Sequence, residues 1–234
     1  MKTAAQTAGI ALLLLAAGTA HAEWSGKGRI GGVIARGNTQ TATANLSLDV
    51  NQRLTRWEHR LGGSMLRTLS EGQTSADRWE LRAESDFRPS RRTFLFASGR
   101  YENDRFTDYA YQATAAVGYG YHFIATETTR LDGRFGIGTR RAELRVTSDT
   151  EADAIARIAV DFQRRLTPNT SMFDRLLVES GETNTFVQNA LGLEVKMTQA
   201  FSLGLSYEVR YNSDVLPGTE KADQVFTAGL VAAF

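Results

Sequence analysis

The chain has 234 residues, with 27 Lys and Arg side chains against 26 Asp and Glu, and it contains no cysteine. The balanced charge does not indicate a nucleic acid or another polyanion as partner, and the missing thiols exclude a zinc finger, a disulfide-stapled domain and a dithiol redox enzyme. A helical membrane protein is also excluded, because the one long apolar run, residues 10–17, is far shorter than the roughly 20 residues that a spanning helix needs.

The first 22 residues have the pattern of a secretory signal peptide. Lys2 provides the positive start, residues 10–17 form the apolar core, and Ala20-His21-Ala22 is a small-x-small cleavage site. The sequence therefore predicts a cleaved segment over 1–22 and one exported domain over 23–234. The competing interpretation is a buried N-terminal helix.

From residue 24 onward, apolar and polar residues alternate with a period of two, which indicates strands with one face against an apolar medium. In residues 79–87, one parity carries Trp79, Leu81 and Phe87, whereas the other is entirely charged. The pattern predicts about twelve strands, near 24–35, 40–54, 57–69, 75–87, 93–103, 109–124, 129–141, 154–166, 171–180, 185–198, 201–212 and 222–234. Most are longer than the usual 5–6 residues and match membrane-spanning strands of about 9–11 residues with overhangs.

The segments between these strands support the assignment. All three prolines, Pro89, Pro168 and Pro217, lie in the gaps, as expected because proline cannot donate to a strand ladder. Short connections also alternate with mostly longer, acidic ones such as 142–153 and 213–221, although the first, 36–39, is short where a long loop is expected. This alternation is typical of outer-membrane barrels.

A soluble β-sandwich or lipocalin-like barrel is the competing fold, and it would turn the apolar parity inward. Strand length, aromatic residues near strand ends, and an apolar stripe that ends at Phe234 argue against it. The sequence thus predicts an all-β fold: a closed antiparallel transmembrane β-barrel of about 12 strands in an up-and-down meander. An even number of strands places both termini on the periplasmic side.

Four motifs carry a resemblance to a known family: Trp24-Ser-Gly-Lys-Gly, Arg36-Gly-Asn-Thr-Gln-Thr41, Arg100-Tyr-Glu-Asn-Asp-Arg-Phe106 and Val117-Gly-Tyr-Gly-Tyr-His-Phe123. In order and spacing over the mature chain, they resemble the outer-membrane proteins described as salt-induced, domain of unknown function 481. The resemblance implies a barrel in the outer membrane of a Gram-negative bacterium and a link to salt or osmotic stress. It implies no catalytic residue.

With the polar parity inward, the lumen receives charges of both signs. The predicted lumen-lining charged network consists of Arg60, Arg78, Glu80, Arg82, Glu84, Asp86, Arg100, Glu102, Asp132, Arg134, Arg140, Arg157, Asp161, Glu208 and Arg210, with Glu194 and Lys196 on the same face. Arginine pairs with carboxylates in rigid bidentate geometry, so this lining predicts a cross-linked network. The alternative is a small water-filled conduit with weak selectivity.

An enzymatic barrel, a lipid or peptide hydrolase, is the rival function. Ser or Thr nucleophiles need a base, and only His59 and His122 lie in the mature chain. A Ser or Asp beside His122, or a Ser on the outer rim, would favour this rival. A carboxylate pair in the loop, Asp104 and Asp108, is a further alternative.

The loops offer weaker candidates. Acidic residues alternate at 149, 151 and 153, but no loop has an EF-hand pattern, so no metal or other cofactor is expected. Arg105, Arg141 and Arg145 are candidates to contact lipopolysaccharide phosphates.

The sequence predicts a monomeric, non-enzymatic envelope protein, either structural or a narrow passive channel. Its expected partners are outer-membrane lipids, lipopolysaccharide and, through Phe234, the barrel-assembly machinery.

Overall fold

The computed structural model describes residues 23–36, 40–215 and 220–234. They form twelve strands: β1 (Glu23–Arg36), β2 (Gln40–Arg53), β3 (Trp57–Ser70), β4 (Gln73–Phe87), β5 (Thr93–Asp104), β6 (Tyr109–Ala125), β7 (Thr129–Leu144), β8 (Thr150–Arg165), β9 (Thr170–Ser180), β10 (Thr185–Lys196), β11 (Phe201–Asn212) and β12 (Ala222–Ala233). The predicted signal segment lies outside the described residues. No helix among the described residues is long and apolar enough to cross a membrane.

Every strand pairs antiparallel with its neighbours in the chain, and β1 pairs with β12 to close the ring. The closing register runs from Lys27–Ala233 to Gly32–Ala228. Beyond it, the Gly26 and Phe234 backbones exchange hydrogen bonds of 2.8 and 3.1 Å. The predicted fold, a closed twelve-stranded antiparallel meander, is confirmed, and closure leaves no strand edge to pair with another chain.

The barrel has two distinct ends. We call one of them the turn end. It holds the start of β1, the end of β12 and the connections 54–56, 88–92, 126–128, 166–169 and 197–200. The opposite end, the loop end, holds the connections 71–72, 105–108, 145–149 and 181–184 among the described residues. The connections after β1 and β11 fall partly outside the described residues.

The two ends differ less in loop length than the sequence predicts. The predicted loop 142–153 shortens to 145–149, because the β7–β8 ladder continues to the pair Glu143–Thr150. Similarly, 70–74 contracts to a two-residue turn, in which Glu71 and Gly72 both have positive φ, 51° and 78°. Positive φ at both central residues is the requirement of a type I′ hairpin turn. At both places, the residues whose polar composition predicts a loop are hydrogen-bonded ends of strands.

The barrel turns its apolar residues outward and its charges inward. On β4, Leu81 is 50 % exposed whereas its neighbour Glu80 is 2 % exposed, and on β7 Ile137 is 72 % exposed whereas Arg134 is 3 % exposed. A soluble barrel would have the opposite arrangement, because a continuous apolar outer surface is unfavourable in water. The outer surface is that of a barrel surrounded by lipid.

Aromatic side chains form two groups on this outer surface. Near the turn end, Trp57 packs on Phe87 with ring centroids 5.1 Å apart. Towards the loop end, Tyr101 stacks on Trp79 at 5.2 Å and on Tyr111 at 5.6 Å. Trp79 and Phe87 are separated by about 26 Å of strand at about 3.3 Å per residue. This spacing is on the scale of the apolar band, about 25 Å tall, between the aromatic girdles of membrane barrels.

Replacing Leu81 by Arg tests the orientation of the strands. We expect Leu81→Arg to lower the free energy of unfolding by about 1–2 kcal/mol, because the charge would lie inside the lipid-facing band but only two residues from Trp79, and the cost falls from about 2–4 kcal/mol at mid-membrane to about 0–1 kcal/mol near the interfaces. Urea unfolding of the refolded barrel in lipid vesicles measures this change. Val146→Arg, in a loop where the side chain is 79 % exposed, is the matched control and should have no effect. Wild-type stability of Leu81→Arg would contradict the outward assignment.

Candidate functional site: the charged lumen

The charged lumen follows directly from the period of the strands. On β4, the four successive inward residues are Glu80, Arg82, Glu84 and Asp86, and on β5 the inward residues include Arg100, Glu102 and Asp104. Cross-strand neighbours place Glu80 beside Glu102 and Arg82 beside Arg100. Because like charges face each other across the two strands, the pairs within this wall run along each strand, Arg82–Glu80 at 3.0 Å and Arg100–Glu102 at 2.9 Å, and further counter-charges come from other strands.

The cross-lumen cluster, which we define as Glu80, Arg100, Glu102, Glu179 and Arg210, supplies these counter-charges in the half of the lumen nearer the loop end. Arg210 on β11 donates to Glu80 at 2.6 Å and to Glu102 at 2.8 Å. Arg100 on β5 donates to Glu102 at 2.9 Å and to Glu179 on β9 at 2.7 Å. β5 and β11 lie six strands apart in a ring of twelve, so the Arg210–Glu102 bond joins opposite walls. Every member of the cluster is buried.

Phe186 on β10 supports the cross-lumen cluster from the side. The guanidinium carbons of Arg100 and Arg210 lie 4.5 and 5.2 Å from the centroid of its ring, which is 2 % exposed. Cation–π contact adds attraction and fixes the plane of each guanidinium. Both arginines are thus held by carboxylates and by a buried ring.

A second group of ion pairs lies nearer the turn end. Arg60 bonds Glu84 and, at 2.5 Å, Asp86. Arg134 contacts Glu84 at 3.1 Å and donates to Asp161. We call Arg60, Glu84, Asp86, Arg134 and Asp161 the turn-side cluster.

Arg157 joins the two clusters. It lies 3.6 Å from Glu179 and 3.8 Å from Glu84. The ion pairs therefore form one connected network that joins the turn-side cluster to the cross-lumen cluster.

Each of the fifteen sequence-predicted lumen residues takes part in at least one ion pair. Besides the clusters and Arg157, Arg78 pairs with Glu208 at 2.8 Å and Arg82 with Asp49 at 3.3 Å. The remaining pairs are Asp132 with Arg130 at 2.7 Å and Arg140 with Asp153 at 2.7 Å. Glu194, also assigned to this face, pairs with Lys27 at 2.6 Å and Arg29 at 2.9 Å.

Sequence reasoning missed several members of the lining, above all Glu179 and Arg175 on β9. In this strand, the inward parity also contains the apolar Phe173 and Leu177, and the outward parity contains Asp174, so polarity does not separate the two faces. The shared odd parity of 173, 175, 177 and 179 was the available signal.

Aromatic rings fill another part of the lumen beside β5–β7. Phe94 and Phe96 are buried, at 0 % and 3 % exposure. The ring of Phe94 occupies the space that a side chain at Gly120 would take, and Phe96 does the same at Gly118. Inward glycines here make room for rings, so they do not widen the lumen.

A cavity of about 770 Å³ runs along the lumen beside the ion pairs. Its lining extends from Arg53, Arg130 and Phe234 at the turn end to Glu179 and Arg210, near the loop ends of their strands. A second depression, between the turns 126–128 and 166–169, shares Arg130, Gln163, Glu194 and Ala233 with it at the turn end. The cavity therefore opens at the turn end.

The loop end carries a separate set of contacts between neighbouring strands and loops. Arg140 donates to Asp153 at 2.7 Å and to the Asn184 carbonyl at 2.8 Å. Arg145 donates to the carbonyls of Asp104 and Tyr109 at 2.6 and 2.9 Å. None of these residues is among those that line the cavity in the described part of the chain.

The family model for "Protein of unknown function, DUF481" matches residues 28–234. The chain belongs to this family. The description of the family names no activity and does not mention salt, so the salt-stress link stays a prediction. No curated protein matches the sequence of the chain.

Solved structures similar to this DUF481 barrel share its fold at low sequence identity. A NanC porin superposes with a TM-score of 0.55 and 12 % identity, covering 90 % of this chain and 98 % of the porin. The COG4313 outer membrane channel from Pseudomonas putida F1 superposes with a TM-score of 0.51 and 11 % identity, covering 91 % and 95 %. At such identity the likeness concerns the fold alone.

Each of the two histidines of the DUF481 barrel has one neighbouring side chain of a kind that a hydrolase uses, an acid or a hydroxyl. His122 Nδ1 lies 2.6 Å from Asp132 Oδ1, and His59 Nδ1 lies 2.8 Å from Ser85 Oγ. No described Ser or Thr hydroxyl bonds His122, however. His59 and Ser85 lie on the outer face within a paired ladder, where the backbone N–H groups are engaged and do not form an oxyanion hole.

The loops do not gather a metal site among the described residues. No group of three or more His, Asp or Glu side chains is placed to hold an ion there. Asp153, one of the alternating acids, is bonded to Arg140 and Thr183.

The cross-lumen cluster predicts a specific pattern of stability. Arg100→Met leaves Glu102 and Glu179 buried without that cation and should cost about 3–5 kcal/mol of unfolding free energy. Adding Glu179→Gln removes one of the uncompensated charges, so the double variant should be more stable than Arg100→Met alone. Urea unfolding in lipid vesicles measures both, with the exposed turn residue Arg91→Gln as control. Additive losses would contradict a coupled network.

Proposed function

We propose that this protein is an outer-membrane barrel of the Gram-negative envelope whose own side chains close its lumen, and that it acts as a rigid structural component without enzymatic activity. One observation carries the proposal: the cross-lumen cluster joins opposite walls through buried Arg–carboxylate bonds, among them Arg210–Glu102 at 2.8 Å.

The membrane assignment rests on the outer surface. A lipid environment suits a band in which Leu81, Ile137 and Phe135 are half or more exposed. The two solved structures that share the fold are described as a porin and an outer membrane channel, which supports the same location. The predicted export signal at 1–22 agrees with it.

The closed state rests on the energetics of paired charges. A solute that passes the cross-lumen cluster would have to separate Arg210 and Arg100 from Glu80, Glu102 and Glu179. Leaving one partner of a buried pair uncompensated costs about 3–5 kcal/mol. Because the pairs share partners, one opening disturbs several of them. A resting barrel of this kind does not pass ions.

A narrow passive channel is the second candidate. The cavity of about 770 Å³ already extends from the turn end to Arg78 and Arg210. Conduction would require only that the cross-lumen cluster and the loop-end contacts open. The hydrolase has no comparable support, since neither histidine is accompanied by both a nucleophile and an oxyanion site.

The proposal extends to salt stress through burial of the network. Ions in solution screen exposed charges within about 10 Å at moderate ionic strength but act much less on buried pairs. With Glu80 and Glu179 only 2 % and 1 % exposed, the closed lumen keeps its bonds when the salt concentration rises. Such a barrel stays sealed under osmotic stress.

The surroundings of the barrel complete the proposal. Lipids cover the apolar band of a monomer, and Arg105 and Arg141 at the loop end face the level of lipopolysaccharide phosphates. Phe234 is 71 % exposed at the turn end, where assembly factors can contact it.

Single-channel recording of the refolded barrel in a planar bilayer tests the closed lumen. We expect no steady ohmic steps from inserted wild-type protein, at low or high KCl concentration. Arg210→Ser/Glu102→Ser removes one cation and one anion, leaves the net charge unchanged, and should produce conducting steps. The matched control, Arg91→Ser/Asp108→Ser, removes the same charges from the two ends and should stay silent.

Steady wild-type conductance would overturn the closed barrel in favour of the passive channel. Silence of both double variants would show that the cross-lumen cluster is not what closes the lumen.

A further inference from the structure

One arginine on the wall of the turn-end cavity differs from the others. Arg175 on β9 lines the cavity and is exposed to it, but no carboxylate of a described residue lies within 4.0 Å of its guanidinium. Every other described Lys or Arg of the lining has such a partner. These are Lys27, Arg29, Arg53, Arg60, Arg78, Arg82, Arg100, Arg130, Arg134, Arg157 and Arg210.

Phe173 holds Arg175 in place. The guanidinium carbon of Arg175 lies 4.9 Å from the centroid of this ring, and that of Arg29, from β1, lies 6.0 Å from it. The ring rests against Gly192, where an added Cβ would overlap it. Gly192 thus leaves room for the Phe173 ring, and the contacts of this ring orient the guanidinium groups of Arg175 and Arg29 towards the same part of the cavity.

The described side chains that line the cavity include twelve Lys or Arg and nine Asp or Glu, which leaves a positive surplus, and Glu194 bonds Arg29 at 2.9 Å. Arg29 and Arg82 repel the guanidinium of Arg175, whereas Asp161 and Asp49 attract it from beyond ion-pair distance. Both acids are already engaged. Asp49 is shared by Arg29 at 3.0 Å and Arg82 at 3.3 Å, and Asp161 accepts from Arg134.

From this geometry we propose that Arg175, with Arg29 and Arg82, forms a binding site for a small oxyanion, a carboxylate or phosphate group, that enters from the turn end. The fork of a guanidinium matches two oxygens of either group, and each oxyanion offers the counter-charge that Arg175 lacks. Cations are disfavoured by the surplus of positive charge. In the membrane orientation proposed above, the ligand comes from the periplasm.

This inference goes beyond the closed barrel and does not depend on it. The site needs only the cavity at the turn end, and binding is measured on protein in micelles, where conduction plays no part. A conducting barrel that binds the anion would overturn the proposed function alone, and a silent barrel that does not bind it would overturn this inference alone.

Titration calorimetry of the refolded barrel with inorganic phosphate, and separately with succinate, tests the site. We expect saturable binding by the wild type and a loss of about ten-fold or more in affinity for Arg175→Gln, since charge-assisted bonds contribute about 1.5–3 kcal/mol. Phe173→Leu retains every charge but frees the guanidinium and should weaken binding by less. Arg91→Gln, at an exposed turn, is the matched control and should bind as the wild type does.

The two probes distinguish the sources of the oxyanion. Tighter binding of succinate assigns the site to organic acids, and tighter binding of phosphate assigns it to phosphate groups. Circular dichroism confirms that each variant is folded. Absence of saturable binding to the wild type, or equal affinity in folded Arg175→Gln, would overturn the site.

Discussion

A charge inside a barrel is costly unless it is paired, and this constraint organises the lumen, with Arg175 as the exception. Guanidinium and carboxylate groups lose hydration when they enter a lumen, and only close, well-oriented partners compensate for that loss. Here the wall formed by β4 and β5 places Glu80 against Glu102 and Arg82 against Arg100. Pairs along each strand, such as Arg100–Glu102, satisfy only part of these charges, and further bonds extend to Glu179 on β9 and Arg210 on β11. The long, planar side chain of arginine makes this reach possible.

The charged lumen and the apolar outer surface are two consequences of one pattern. Because side chains alternate along a strand, the residues that place charges inside also place Leu, Ile and aromatic residues outside. The resulting barrel excludes water from its outer band and holds its ionic network within. The cavity runs beside this network, with Arg175 on its wall. In our proposals the cross-lumen cluster closes the lumen, and the cavity admits a ligand from the turn end.

The sequence alone predicts the strands, the face of each strand that points inward and most of the lumen lining. Regular alternation makes this possible on β4, where Glu80, Arg82, Glu84 and Asp86 follow each other on one parity. It fails on β9, where Phe173 and Leu177 share the inward face with Arg175 and Glu179. Pairing across the lumen could not be predicted, because the contact of Arg210 with Glu102 depends on how twelve strands close and on their stagger. The same holds for loop length, since the β7–β8 ladder continues through residues that look like a loop.

Because the chain contains no cysteine, single introduced cysteines can test the central claim that the lumen is closed at the loop end and open at the turn end. Ser206→Cys places a thiol on the cavity wall, and Thr147→Cys places one in the exposed loop 145–149. Intact cells and cells with a permeabilised outer membrane are treated with a bulky maleimide that does not cross the outer membrane. The account predicts that Thr147→Cys is labelled in both, whereas Ser206→Cys is labelled only after permeabilisation. Rapid labelling of Ser206→Cys in intact cells would contradict it.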